Sequence, residues 1–67
     1  MDDRNKAIIL SMADHNMNKA EVARVLYFSR NGVIYHCDVI KQQTGLDPRK
    51  FYDLIKLVDM VKEGERD

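Results

Sequence analysis

The sequence predicts a small all-α domain, and three features of its 67 residues support this prediction. Apolar residues recur at intervals of three and four in four separate segments, which is the spacing of one helix face. Residues that commonly begin or end helices stand between these segments. No run alternates apolar and polar residues with the β-branched enrichment typical of a strand. We therefore expect four helices in one domain over residues 1–67, without a sheet or a linker.

The first two helices are predicted at residues 3–14 and 19–26. An aspartate at the chain start can cap the first helix, because its carboxylate accepts hydrogen bonds from backbone N–H groups that a helix leaves free. Asn18 is a preferred cap for the second helix. Glu21 follows three residues later, where the capping-box motif places a side chain that bonds back to the cap.

The third helix is predicted at residues 30–44 and the fourth at residues 48–63. Ser29 can cap the third helix, and Gly45 stands where a left-handed residue commonly ends one. The Asp-Pro pair at 47–48 combines a capping residue with a proline at the first helical position, which is a strong helix-start signal.

Residues 19–44 combine the features that a helix-turn-helix motif requires. Close packing of its two helices needs a small residue at their contact, and Ala23 meets that need. Phe28 follows the short turn and can fill its corner. Val33 and Cys37 form a buried stripe on the second helix, opposite a polar face at the helix start. The spacing alone also fits a generic helical bundle.

A longer pattern around this unit resembles a known family. Residues 23–36 read A-R-V-L-Y-F-S-R-N-G-V-I-Y-H, and T-G-L-D follows at 44–47. This pattern is similar to the C-terminal DNA-binding domain of PucR/CdaR-type bacterial transcription regulators and, more loosely, to Fis-type domains. The resemblance covers about residues 5–62. It implies a sequence-specific DNA-binding domain whose recognition helix, residues 30–44, enters the major groove.

The resemblance implies DNA contacts from both helices of the motif. Arg30 is expected to contact a phosphate or a guanine edge, Asn31 to read adenine, and Tyr35 to reach a phosphate through its hydroxyl. The alternatives are an ordinary solvated arginine, an asparagine that completes the hydrogen bonds of the helix start, and a tyrosine that packs at the helix edge. The first helix of such a motif crosses the DNA backbone, where its basic side chains can meet phosphates. The candidate DNA-binding residues are Lys19, Arg24, Ser29, Arg30, Asn31, Ile34 and Tyr35.

Several positions depart from the expected pattern. Many helix-turn-helix motifs carry glycine where Tyr27 stands. In the family, histidine often occupies the position of Ser29, and threonine usually occupies that of Gly32. A basic residue often aligns with Ile34, and an arginine aligns with His36. Each of these family departures removes charge or a hydroxyl from the expected DNA side.

The charge distribution leaves two functions open. The chain has 11 basic and 11 acidic residues and a formal net charge of zero, whereas DNA binding relies on Lys and Arg to neutralise phosphate. Residues 18–44 carry four basic and two acidic side chains, a local balance of +2, and are the only net-basic third. The alternative to DNA binding is a helical protein-interaction module that keeps the fold but binds DNA weakly or not at all.

Other functional classes lack their sequence signals. The chain has no nucleophile–base arrangement, phosphate-binding glycine loop or paired-carboxylate pocket, so we expect no enzyme and no cofactor or small-molecule ligand. His15 and Asp14 do not have metal-ligand spacing, so no metal site is expected. Cys37 is the single cysteine, which fits a reducing compartment, and no apolar run is long enough for a membrane span. We expect a cytoplasmic protein.

The many apolar residues of the fourth helix predict that the protein associates with itself. One apolar stripe is expected along it, formed by Phe51, Leu54, Ile55, Val58 and Val61. Tyr52, Leu57 and Met60 lie outside that stripe and are predicted to form a homodimer seam, with Ile8 or Met12 of the partner subunit as their contacts. A 67-residue monomer has little interior in which to bury so many apolar side chains. The competing interpretation is that the first and fourth helices cover each other within one chain.

Overall fold

The computed structural model describes residues 1–65, and these residues form four α-helices without any strand. The helices are α1 (Asp3–Asp14), α2 (Lys19–Leu26), α3 (Arg30–Thr44) and α4 (Phe51–Glu65). The bounds of α1, α2 and α3 agree with those predicted. The all-α prediction is confirmed.

The core is built around α1. Ile8, Ile9 and Met12 on this helix have no exposed surface, and α1 packs against each of the other three helices. Within the described residues α2 also packs against α3, whereas α4 packs against α1 alone. The α2–α3 pair and α4 therefore lie against different parts of α1. The buried apolar core is completed by Val22, Ala23, Val33, Cys37, Ile40, Leu54, Leu57 and Val61.

Side-chain caps begin the first three helices. The Asp2 carboxylate accepts the Arg4 N–H at 2.8 Å, and Ser29 Oγ accepts the Gly32 N–H at 2.9 Å. Asn18 Oδ1 accepts the N–H groups of Ala20 and Glu21. The expected capping box is wrong, because the Glu21 carboxylate turns to a neighbouring arginine and the Asn18 N–H donates to the His15 carbonyl instead.

The turn between α2 and α3 requires a left-handed residue. Tyr27 ends α2 with φ of 59°, at the position where glycine is common in such motifs. Its side chain is 95% exposed, so contacts of the tyrosine ring itself do not stabilise this backbone conformation. Phe28 then donates its N–H to the Ala23 carbonyl at 2.9 Å and packs against the core. The predicted roles of Ala23 and Phe28 at the corner agree with this arrangement.

The end of α3 is closed by Gly45 and Thr44. Gly45 has φ of 76°, and its N–H donates to the Lys41 carbonyl at 2.8 Å, as predicted for a terminating glycine. Thr44 Oγ1 donates to the Ile40 carbonyl at 2.7 Å and accepts the Leu46 N–H at 3.1 Å. These bonds turn the chain sharply from α3 toward α4.

The start of α4 differs from the prediction. Asp47 and Pro48 belong to a separate turn, in which the Lys50 N–H donates to the Asp47 carbonyl, and α4 begins only at Phe51. The Asp47 carboxylate accepts the Arg49 N–H, as an aspartate does in a local turn. The Asp-Pro signal therefore marks a turn that directs the chain into the helix, three residues before the helix itself.

An ion-pair network holds this corner. Arg49 donates from Nε to Asp47 Oδ1 and from Nη2 to Asp38 Oδ1, both at 2.8 Å. The Asp47 N–H in turn donates to Asp53 Oδ2 at 3.1 Å. Burial alone would raise the pKa of Asp47, but the side-chain and backbone hydrogen bonds from Arg49, together with its charge, outweigh burial and leave that pKa below its usual value. Arg49 thereby joins α3 to the connection, and Asp47 joins the connection to the first turn of α4.

The apolar stripe expected on α4 is rotated in the structure. Leu57 is fully buried in the chain's own core, so it is not available for the predicted dimer seam. Ile8 and Met12 are likewise fully buried and cannot meet a partner subunit. Phe51 and Ile55, which were expected to be buried, are 57% and 44% exposed. The cause is that α1 covers the side of α4 that carries Leu54, Leu57 and Val61.

We expect Tyr27→Gly to stabilise the fold, because glycine adopts positive φ without the steric cost that a side chain incurs there. The unfolding free energy should rise by about 0.5–1 kcal/mol after the greater freedom of glycine in the unfolded chain is included. Urea denaturation followed by circular dichroism measures this change. Gly45→Ala, at the other left-handed helix end, should lower it by about 1 kcal/mol. A lower midpoint for Tyr27→Gly would contradict this account of the turn.

We expect Arg49→Met to destabilise the protein at pH 7 by about 1–3 kcal/mol, because it leaves the buried Asp47 carboxylate without its cation. The pKa of Asp47 is lowered in the folded state, so its stabilisation is present above the unfolded pKa and is lost as the pH falls through the folded pKa. The difference between wild type and variant should therefore shrink below about pH 4. Urea titrations at pH 7 and pH 3 measure it. Lys50→Met, which removes the neighbouring exposed charge, is the control and should have a small effect at both pH values.

Candidate nucleic-acid interface

One face of α3 is exposed to solvent. Val33, Cys37 and Ile40 turn into the core, so helical periodicity directs the opposite side to solvent. Asn31, Tyr35, Asp38 and Gln42 share that side and are all exposed. The structure thus presents a row of hydrogen-bonding side chains about 16 Å long along α3, and we call these four residues the α3 polar face.

The first residues of α3 are available for external contacts. Arg30 and Asn31 are exposed, and no hydrogen bond between described side chains engages either of them. Tyr35 is 64% exposed, and its ring contacts the edge of the His36 ring. These three predicted site residues therefore lie together on the N-terminal half of α3.

Ser29 and Ile34 have more structural roles than the other candidates. The Ser29 hydroxyl oxygen already accepts the Gly32 N–H, so it acts first as the helix cap. A Cβ on Gly32 would lie 3.1 Å from that oxygen, and glycine avoids this close contact. Ile34 is half-buried and offers an apolar edge beside the exposed face. The sequence predicted both residues as DNA contacts; in the structure Ser29 caps α3 and Ile34 lies partly in the interior.

The two basic candidates on α2 differ in their surroundings. Arg24 donates from Nη2 to the Glu21 carboxylate at 2.7 Å, with 70% of the arginine side chain exposed. This hydrogen bond and the attraction between the two charges lower the pKa of Glu21 and raise the pKa of Arg24. A phosphate must therefore compete with Glu21 for Arg24. Lys19 lies in the first turn of α2 and is half-buried.

His36 connects the recognition helix to α1 and to the turn. Its ring stacks on Phe28 with centroids 5.4 Å apart, and its Nδ1 lies 3.1 Å from Oδ1 of the buried Asn5. These contacts place His36 at the boundary of the core. They hold the orientation of α3 relative to the rest of the domain. Sequence reasoning missed Asn5, because a single polar residue in an apolar helix gives no signal of its distant partner.

The described residues offer no site for the other chemistries considered. Burial raises the pKa of the Cys37 thiol, which makes its reactive thiolate form scarce. Among residues 1–65 no group of three acidic, histidine or cysteine side chains is arranged to hold a metal ion. None of the helices in this part of the chain combines the length and apolar character that crossing a membrane requires.

A second exposed region lies on α4, away from the α3 polar face. Phe51, Tyr52, Ile55 and Met60 are each between 44% and 76% exposed. Phe51 and Ile55 border an apolar groove of about 320 Å³ between α4 and the C-terminal end of α1. Of the predicted seam residues, Tyr52 and Met60 are therefore accessible, whereas Leu57 is not.

Comparison with known proteins agrees with this geometry. Residues 7–58 match the family described as the PucR C-terminal helix-turn-helix domain. Searches of curated proteins and of solved structures gave no match. The family match begins within α1, includes α2 and α3 entirely and extends into α4. Since it covers most of the 67 residues, the chain belongs to the PucR C-terminal helix-turn-helix family, a family of DNA-binding domains of transcription regulators.

Proposed function

We propose that this domain binds specific DNA sequences as part of a bacterial transcription regulator, with α3 in the major groove. The observation that carries the proposal is the α3 polar face, which is exposed along its length while the other side of the helix is buried. An α-helix fits the major groove, and helix-turn-helix proteins contact base edges mainly from the start of the recognition helix. This role places the protein with bacterial DNA, in the cytoplasm.

The candidate residues divide between base reading and phosphate binding. Asn31 can bond to the N6 and N7 atoms of adenine through its amide, and Arg30 can bind a phosphate or the guanine edge. Tyr35 can donate its hydroxyl to a phosphate. Lys19 and Arg24 lie on α2, which crosses the backbone in this docking geometry. Phosphate contacts position the protein, and base contacts specify the sequence.

The zero net charge favours one competing function, a helical protein-interaction module that keeps the fold without strong DNA binding. The exposed Asp38 and the pairing of Arg24 with Glu21 also weaken the positive potential on this side. A salt series of binding to duplex DNA separates the two functions. A protein that neutralises phosphates loses affinity steeply as salt rises, in proportion to the number of phosphates contacted.

We further propose that the domain forms a homodimer through the exposed side of α4. Phe51 and Ile55 lie one helical turn apart beside the apolar groove. An antiparallel contact between two copies of α4 would bury these apolar side chains, and two-fold symmetry would repeat each contact. Because α4 packs on α1 alone, such a contact leaves the α3 polar face free for DNA.

Tyr52 fits this arrangement, but two of the originally expected seam residues do not. Tyr52 is 76% exposed and flanks Phe51, with the two ring centroids 5.5 Å apart. Met60 is exposed but lies about 140° around the helix from Ile55, so it faces away from the groove. Leu57 belongs to the core of the single chain.

We expect Arg30→Ala to weaken binding to every DNA sequence, because it removes a cationic contact from the start of α3. Asn31→Ala should instead relax discrimination at one base position by about 1–3 kcal/mol. Binding of fluorescent duplexes at several salt concentrations measures both effects. Lys62→Ala removes an exposed charge from the far end of α4 and is the control. If the double variant of Arg30 and Asn31 keeps wild-type affinity at low salt, the interaction-module function is favoured instead.

We expect Ile55→Lys to convert the dimer to a monomer, because it places a charge in the apolar centre of the proposed contact. Sedimentation of the wild type at tens of micromolar should give twice the 7.8 kDa chain mass, and the variant should give 7.8 kDa. Val25→Lys is the matched control, since Val25 is 39% exposed on α2 and Ile55 is 44% exposed. A wild-type protein that sediments only at the chain mass would refute the dimer.

A further inference from the structure

Asp38 is an unusual residue to find on a DNA-facing surface. It lies on the α3 polar face with Asn31, Tyr35 and Gln42, and 56% of its side chain is exposed. A carboxylate at this place repels phosphate, which costs affinity at every DNA sequence. A favourable contact with particular bases would compensate for that repulsion only at sites that contain them. Nothing in the DNA-binding role described above uses this residue.

The Asp38 carboxylate is held in one orientation. Arg49 Nη2 donates to its Oδ1 at 2.8 Å, and Arg49 is itself fixed by two further bonds to the Asp47 carboxylate. The arginine side chain is only 26% exposed. Within the described residues Oδ2 of Asp38 accepts no hydrogen bond. One oxygen is therefore anchored by a rigid corner, while the other points outward as a free acceptor.

The base chemistry of the major groove determines what this acceptor selects. An ionised carboxylate accepts hydrogen bonds and donates none. Cytosine presents the N4 amino donor, whereas guanine presents the acceptors N7 and O6, and thymine presents O4 and a methyl group. Adenine has an amino donor at N6 beside the acceptor N7. A fixed carboxylate can thus accept a hydrogen bond from the N4 amino group of cytosine, whereas the acceptor atoms of guanine and thymine repel it.

The position of Asp38 on α3 indicates which base pair its carboxylate can reach. Asp38 is seven residues beyond Asn31, which is about 10 Å along the helix axis. In a helix docked in the major groove, residues about three apart contact successive bases, so the two side chains would reach positions roughly two to three base pairs apart. The separation allows Asp38 to read a base that is distinct from the one read by Asn31.

We propose that Asp38, oriented by Arg49, is a specificity-determining residue that selects cytosine roughly two to three base pairs from the base read by Asn31. This inference rests on the proposed DNA-binding function and assigns it one further base contact. Arg49 acts as a positioning residue and also offsets the charge of the carboxylate. The selectivity comes from rejection of guanine and thymine as well as from pairing with cytosine.

The test selects binding sites from a randomised duplex library and then measures affinity for the four duplexes that differ at the position assigned to Asp38. Wild type should prefer cytosine there by roughly five- to hundredfold. Asp38→Ala should lose the preference. Asp38→Asn should replace the cytosine preference by a preference for guanine or thymine, since its oxygen still accepts from Arg49 and its amide nitrogen, a donor, then faces the bases. Asp14→Asn, at an exposed site on α1, is the charge-matched control and should keep the cytosine preference.

Circular dichroism and thermal unfolding of each variant establish that it is folded, and the asparagine variant preserves the acceptor for Arg49. If both Asp38 variants bind all four duplexes more tightly by the same factor as Asp14→Asn, Asp38 only repels phosphate and the inference is wrong. If the wild type enriches no sequence and binds no duplex at low salt, the DNA-binding function fails and this inference fails with it. Specific binding of the wild type without a cytosine preference overturns the inference alone.

Discussion

The burial of α1 is the constraint on which the rest of this domain depends. α2, α3 and α4 each bury apolar side chains against this one helix, and Ile8, Ile9 and Met12 have no contact with solvent. A domain of 67 residues has a total stability of roughly 3–10 kcal/mol. Truncation of one such core side chain to alanine typically costs about 2–5 kcal/mol. The domain therefore cannot lose the α1 core and keep its remaining helices in place.

The exposed face of α3 is a consequence of that core. Val33, Cys37 and Ile40 are drawn inward, and the helical period then places the α3 polar face outward. The contacts of His36 with Asn5 and Phe28 prevent α3 from rotating about its own axis. The core also supports the left-handed conformation of Tyr27, which costs roughly 1–2 kcal/mol for a residue with a side chain. An exposed tyrosine at a glycine position is tolerated because the packing of the residues on both sides of the turn fixes the backbone between them.

The ion pairs of Arg49 at the corner between α3 and α4 connect a stabilising contact to the α3 polar face. Arg49 joins Asp47, which is buried, to Asp38, which is exposed on the α3 polar face. Two carboxylates share one guanidinium at this corner, whereas Arg30 at the start of α3 forms an ion pair with no acidic side chain among residues 1–65. The domain therefore has a weak overall field, and any sequence preference must come from directed hydrogen bonds more than from net charge.

The sequence by itself determined the helices whose limits are set by local chemistry. Asp2, Asn18, Ser29 and Gly45 act on backbone groups within a few residues, so the bounds of α1, α2 and α3 could be predicted from spacing alone. The same locality made the helix-turn-helix motif and its family recognisable, since that pattern lies within a continuous stretch of the chain.

Only the tertiary structure decided which side of α4 is buried and how the corner before it is built. α4 carries apolar residues around most of its circumference, so periodicity could not choose a face, and contact with α1 selected Leu54, Leu57 and Val61 over Phe51 and Ile55. The ion pair between Arg49 and Asp38 spans 11 residues and depends on the angle at which the chain leaves α3. Such pairings form between elements that local sequence patterns do not relate, because they require the three-dimensional packing to bring the groups together.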